Sequence, residues 1–333
     1  MKSASYVSAN SRHRVSYIDA IKGFTIFFVV YMHVLTGIYG YVDFIAEISI
    51  SFLMPIFFFI SGYFIYPIKS GIEAKRKLRA RIVKQLFPAA ICFLLYALEL
   101  YGTNIPWEYA LGEMKLGYWF PLVKVEYFML AIPLLWLAKR YELSDRAFLA
   151  SMAVLSVLAY ALGLLAWKSD CAITGWLSLN HFGTLAVYFL CGIAAKKHNP
   201  TFLSIIGNRR LLIVASICWL CVIPFATWWL NPLRSLLSIL LIFMVFKHLN
   251  RYLEKRNAPA RLICDIGGDT LEIYYFHWFF LTLIIKSGWA PQISFAPART
   301  CFYFILTAAI VAACIAVKRI LRFISYLIAN PCK

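Results

Sequence analysis

Charge is what this sequence has least of. Only 14% of its 333 residues are Asp, Glu, Lys or Arg, where a soluble globular domain carries about a quarter. Acid is scarcest, with 15 Asp and Glu against 33 Lys and Arg. That deficit excludes an ordinary water-soluble domain. Long polar connections are missing too. The longest, "PIKSGIEAKRKLRARIVKQLFP" and "HLNRYLEKRNAPARLICDIGGD", leave no room for a second folded domain. No cysteine framework is present. The nine cysteines fall mostly inside apolar runs, where free Cys behaves as a small hydrophobe. The one C-x-x-C, Cys218 and Cys221, lies within "VASICWLCVIPF", which argues against a disulfide scaffold and against metal or redox use. A cleavable leader does not fit either: the first apolar run is too long and no small-x-small site follows it. It reads as an uncleaved first span. No internal repeat is visible.

What is there is apolar. Hydrophobic residues make up 62% of the chain and aromatics 17%, with a mean hydropathy of +0.75. These values indicate an all-α, polytopic membrane helical bundle. Ten spans are expected, at about 20–39, 45–66, 85–101, 118–138, 147–167, 182–196, 210–229, 233–250, 270–286 and 300–320, most near the roughly twenty residues needed to cross the hydrocarbon core. The net charge of +18 is not spread like a nucleic-acid footprint. It gathers in alternate loops: Arg12 and Arg14, Lys69 through Lys84, Lys139 to Arg146, Lys196 to Arg210, Lys247 through Arg261, and Lys318 to Arg322. The intervening loops hold only Lys115, Lys168, Arg234, Lys286 and Arg299. By the positive-inside rule, both termini face the cytoplasm, and the basic loops suit contact with anionic membrane lipids. The expected division is a cytoplasmic tail over 1–16, a transmembrane domain over 17–323 and a cytoplasmic tail over 324–333.

Ionisable residues inside spans are costly and mark function by default. "IDAIKGFTIFFVVYMHV" carries Asp19, Lys22 and His33. Eleven residues return a helix to within about 20° of the same face and rise about 16 Å. Lys22 therefore sits at the cytoplasmic mouth, with Asp19 one turn away and able to pair with it. His33 sits deeper on the same stripe. A cation at the mouth can hold phosphates, and a histidine farther in can act as general base. A nucleotide with a pantetheine arm has that length. The competing reading is a snorkelling lysine and a packed histidine. In the second span, "SFLMPIFFFISGYFIYP", Pro55 frees backbone groups that neighbours must satisfy.

Before the third span, "KRKLRARIVKQLFP" presses Arg79, Arg81 and Lys84 against the apolar boundary. Arg76 and Arg79 share a helix face. Phosphate holding competes there with simple topology. In "GYWFPLVKVEYFMLAIP", Lys124 and Glu126 are two apart and point to different sides. Each needs a partner elsewhere or a wet cavity, and Glu126 is a candidate acid–base or acceptor-binding group. In "IGGDTLEIYYFHWFF", Asp269 is placed to cap a helix, and His277 is a second intramembrane histidine, for chemistry or for aromatic packing.

Together these stretches resemble the acyltransferase 3 family of integral-membrane O-acyltransferases. "RVSYIDAIKGFTIFFVVYMH" is similar to the family's opening, a basic residue and a histidine separated by ten others. "FLMPIFFFISGYFI", "RKLRARIVKQLFP" and "IGGDTLEIYYFHWFF" follow in the family's order. "YWF" at Tyr118–Phe120 and "YFLCG" at Tyr188–Gly192 add support. The resemblance implies that His33 is the catalytic histidine and that Lys22 fills the basic position. Arginine is commoner there, so the bidentate fork is lost while the charge is kept. It also implies that Arg76 and Arg79 belong to the cytoplasmic basic site, and Arg81 is carried with them as a donor-binding candidate. The donor implied is acyl-CoA, with acetyl-CoA first. The acceptor implied is a cell-envelope glycan or a lipid-linked glycan precursor at the bacterial inner membrane. No metal and no nucleic acid are expected, and a homo-oligomer stays open, as does direct transfer against a transient acyl-histidine. Glu126 and His277 are carried as further catalytic candidates. The alternatives from other classes are a ten-span secondary transporter of a small solute and a scaffold for an envelope-glycan complex.

Overall fold

A computed structural model of the chain describes residues 15–169, 171–225 and 230–329. Among these there is no strand. The helices are α1 (Ser16–Val34), α2 (Phe44–Ile50), α3 (Leu53–Ile65), α4 (Gly71–Arg81), α5 (Phe87–Tyr101) and α6 (Trp107–Ala110). Next come α7 (Trp119–Arg140), α8 (Asp145–Trp167), α9 (Ala172–Trp176), α10 (Leu179–Lys197), α11 (Asn199–Ile206) and α12 (Arg209–Val222). The last five are α13 (Asn231–His248), α14 (Asn250–Glu254), α15 (Ala258–Gly268), α16 (Thr270–Lys286) and α17 (Ala296–Ala329). The expected tail bases Arg12 and Arg14, with the rest of 1–14, lie outside the described residues. α17 runs on through much of the segment expected as a C-terminal tail.

Six helical stretches are long and apolar enough to cross a membrane, or up to seven if the pair α11 and α12, bent by 75°, is one span. Three further helices lie where sequence hydropathy places spans: α10, α13 and α16. The first two carry polar residues at both ends, and α16 has 17 residues. The outward faces are apolar. Val154, Val157, Leu158 and Leu165 on α8, and Ile213, Val214, Ile217 and Leu220 on α12, are all exposed. A belt of this kind suits lipid rather than water.

The interior is organised around α1, α3 and α10. Backbones approach closely where glycine removes the side chain. A Cβ on Gly62 would lie 1.9 Å from the Phe189 carbonyl oxygen, and one on Gly192 would lie 2.0 Å from that of Phe59. These reciprocal contacts clamp α3 to α10. A Cβ on Gly267 would lie 1.8 Å from the Asp19 oxygen, so α15 is seated on α1.

Two local departures from α geometry shape the interior. The second span breaks at Ser51–Phe52, and Pro55 falls in the first turn of α3, where a missing N–H leaves no bond unmade. Ser51 Oγ donates to the Ile48 carbonyl at 2.8 Å and meets Ser238 Oγ at 2.8 Å, which satisfies the break. A π-helical turn, Leu35–Tyr39, extends α1 directly beyond His33 and ends at Gly40 with φ 71°. Such widened turns occur often at functional sites.

Candidate active site

Lys22 and His33 lie along α1 as their spacing predicts, but they open into two different cavities. The first, of about 310 Å³, is lined by Lys22, Arg81, Gln85, Lys124, Thr270 and Glu272, with Gly267 and Gly268 at its edge. Lys22 Nζ is ion-paired with Asp19 at 2.6 Å, the one-turn pairing the sequence indicates. Lys124 lies within electrostatic range of both Lys22 and Arg81. It sits over the Phe120 ring at 5.3 Å and has no carboxylate partner among the described residues. Arg81 stacks over Phe128 at 5.0 Å. Glu272 is bound to Lys318, which also holds Asp269 at 2.7 Å. Asp269 therefore does not cap α16, as its position suggests, because Lys318 takes its carboxylate. Three cations converge on one hollow whose acids are already paired, which leaves its surface positive.

Arg76 and Arg79 are both exposed on α4 and line neither this cavity nor the next. Lys77, on the same helix, donates to the Ile65 and Pro67 carbonyls at 3.3 and 2.8 Å and so closes the end of α3. Of the basic run, Arg81 is the member that reaches the hollow.

The second cavity, of about 390 Å³, is lined by His33, Trp119, His181, Tyr188, Arg234 and Tyr274, among others. His33 is half-buried. Its ring stacks on His277 with centroids 5.3 Å apart and leans on Trp278 at 4.4 Å. His277 is fully buried. Its Nδ1 is 3.1 Å from the Ile273 carbonyl, an atom that only accepts, so Nδ1 carries the hydrogen and Nε2 keeps a lone pair. Nε2 has no hydrogen-bond partner. The two intramembrane histidines of α1 and α16 are thus brought together.

The segment before α7 roofs this cavity under backbone strain. Lys115, Leu116 and Gly117 have φ of 44°, 51° and 94°, three successive left-handed residues. Such strain persists only where the surroundings hold it. Lys115 Nζ donates to the Gly112 carbonyl at 3.3 Å, the Gly175 carbonyl at 2.8 Å and Ser178 Oγ at 2.6 Å. Burial pushes the Lys115 ammonium down to about 8. Tyr274 donates to the Gly117 carbonyl. A side chain at Gly117 would lie 2.4 Å from the Trp278 ring, so this glycine makes the room Trp278 needs to stand against His33. Glu113, in the same segment, holds His181 through Nδ1 and through its backbone N–H, the latter at 3.1 Å. His181 also stacks on Trp119 at 4.0 Å.

Glu126 lines neither cavity. Both its carboxylate oxygens are buried without a hydrogen-bond partner, within electrostatic range of Lys115 and Glu113. Between the cavities stands an aromatic partition. Phe58 meets Phe120 at 5.3 Å, and Phe120 meets Tyr274 at 5.4 Å. Trp119 and Phe120, adjacent in sequence, face opposite cavities. No group of three His, Cys, Asp or Glu able to hold a metal ion occurs among the described residues.

Sequence reasoning missed His181, Glu113, Arg234 and the place of Lys124 in the cationic hollow. A signal existed for two of them. His181 is a third histidine at the start of an apolar run, and Arg234 is a lone base on the side of the chain where bases are few.

The chain belongs to the acyltransferase 3 family: the family's model, described as an acyltransferase domain, matches residues 15–319. It is a membrane acyltransferase of helical architecture. No curated protein and no solved structure matches the chain.

Proposed function

We propose that the protein is an O-acetyltransferase of the bacterial inner membrane that moves an acetyl group from cytoplasmic acetyl-CoA to a hydroxyl of a cell-envelope glycan or lipid-linked glycan precursor. The observation that carries this reading is the pairing of two cavities along α1, one cationic and one holding histidine. Lys22, Lys124 and Arg81 hold the donor's phosphates from the cytoplasmic side, as point charges and a fork. Arg76 and Arg79, exposed beside the hollow, contribute at most long-range attraction. The pantetheine arm spans the distance to the partition, and the thioester is presented to His33.

His33 takes the proton from the acceptor hydroxyl as its oxygen attacks the thioester carbonyl. The carbon–sulfur bond breaks, and the proton on His33 passes to the departing sulfur, so CoA leaves as the thiol. General-base assistance of this kind contributes roughly 10²–10⁴-fold. His277, neutral with its hydrogen on Nδ1, supports the His33 ring from one side, and Trp278 supports it from another. His181, held by Glu113, offers its remaining ring nitrogen to the acceptor. Glu126, away from both cavities, tunes Lys115 in the roof.

Membranes carrying the protein should transfer labelled acetyl groups from acetyl-CoA to envelope glycan, and His33→Ala should abolish this while the protein remains folded. Absence of transfer from the parent to any carbohydrate sinks the reading. Equal transfer by both proteins removes His33 from the chemistry.

A further inference from the structure

The His33 cavity contains a charge that the transfer reaction does not use. Arg234 is 6% exposed and lines the cavity, and its Nε has no hydrogen-bond partner. No carboxylate among the described residues lies within ion-pairing distance of it. The hydroxyl of Tyr188, itself hydrogen-bonded to Ser235, lies within electrostatic range of it. A buried, unpaired guanidinium in an apolar helical bundle is costly. Here the position makes it worse. Arg234 lies in the first turn of α13, whose N-terminus carries the positive end of the helix dipole, so two positive features meet, and no acidic side chain among the described residues pairs with either.

Both features favour the same remedy, an anion in the cavity. The cavity also fits a polyhydroxylated molecule around that anion. Asn231, Ser51 and Thr184 line it and can exchange hydrogen bonds with hydroxyl groups.

We propose that Arg234 is an anion-binding subsite for the acceptor, which therefore carries a carboxylate or a phosphate close to the hydroxyl that is acylated. Assigning the anion to the acceptor rests on reading the His33 cavity as the acceptor side. The fork geometry of arginine suits either group bidentately. A neutral glycan leaves the guanidinium unpaired and binds less tightly.

The test uses the full chain in phosphatidylcholine nanodiscs, with Arg234→Gln and Arg234→Lys beside the parent. Three probes are compared by direct binding: methyl β-D-glucuronide, glucose 1-phosphate and methyl β-D-glucoside. The parent should bind at least one anionic probe ten-fold or more tightly than the glucoside. Arg234→Gln should lose that affinity by roughly thirty-fold or more, the usual scale for removing one side of a buried charge pair. Arg234→Lys, which keeps the charge, should retain most of it and shows that loss in the glutamine variant is not loss of fold. The better of the two anionic probes distinguishes carboxylate from phosphate. Equal binding of glucuronide, phosphate and glucoside by the parent overturns the proposal, and so does unchanged binding in Arg234→Gln. Displacement of the probes by phosphatidylglycerol added to the nanodiscs assigns the anion to a lipid headgroup and overturns the acceptor assignment. Acetyl transfer and CoA binding are scored separately. Probe binding through Arg234 without any acetyl transfer sinks the acetyl-transfer reading and leaves the anion subsite standing.

Discussion

The two cavities differ in how their charges are balanced, and that difference underlies the work proposed for each. In the Lys22 cavity the acids are committed: Asp19 to Lys22 and Glu272 to Lys318. Lys22, Lys124 and Arg81 line the space, the positive surface that the proposed phosphate-bearing donor requires. The His33 cavity is lined by one guanidinium, Arg234, and by two imidazoles, His33 against His277 and His181 against Glu113. Imidazole is the side chain suited to moving protons near neutral pH. In the proposed reaction the first hollow holds the donor's charge and the second moves a proton. A single helix, α1, contributes to both.

Four experiments break or sharpen that contrast. The largest effect is expected at His33. His33→Gln should lower turnover by roughly 10²–10⁴-fold with CoA affinity unchanged, and a parallel loss of CoA binding in that variant would merge the two cavities into one. Next comes Gly117→Ala. The added methyl collides with Trp278, and φ of 94° is unfavourable for any residue with a Cβ. Turnover should fall by roughly ten- to a hundred-fold through displacement of the ring that supports His33, while donor KM stays near the parent's. Lys124→Gln should do the reverse. It should raise donor KM by roughly ten-fold with little change in turnover, whereas Arg76→Gln, on the exposed face of α4, should change KM by less than about three-fold.

The smallest effect concerns Lys115. Burial lowers its value to about 8 in the folded protein, against about 10.4 in an unfolded chain. Between these values the unfolded chain binds the extra proton, so stability rises with pH across that window. The parent should melt at a higher temperature at about pH 9.5 than at about pH 7.5, and Lys115→Met should flatten that rise.

Much of the fold is legible in the sequence because apolar length and loop charge act locally. The helical class, the Asp19–Lys22 pair and the shared stripe of Lys22 and His33 all follow from residue spacing on one helix. What spacing cannot show is which neighbour stands between two residues. Phe120 and Tyr274, from α7 and α16, divide the stripe into two compartments, and only tertiary packing brings them there. The same limit governs the basic run. Its density is visible, but the rotation of α4 decides that Arg81 turns inward while Arg76 and Arg79 face out. Asp269 has the right position for a cap, yet a lysine some fifty positions later, Lys318, takes it instead. His181 and Glu113 are 68 positions apart, beyond any local pattern.

The aromatic partition has an electrical consequence. In the proposed orientation, the transmembrane voltage falls mainly across the layer that separates the two hollows. Moving one elementary charge through the whole drop involves about 2.3 kcal/mol per 100 mV. In the proposed reaction the phosphates of the donor stay on the cationic side of Phe120, and what passes to the His33 side is an uncharged thioester. A reaction of that form is decoupled from the membrane's energisation. Acyl transfer in sealed vesicles should proceed at one rate whether or not a potential is imposed, and a rate that follows the potential would show that charge, not a neutral acyl group, crosses the partition.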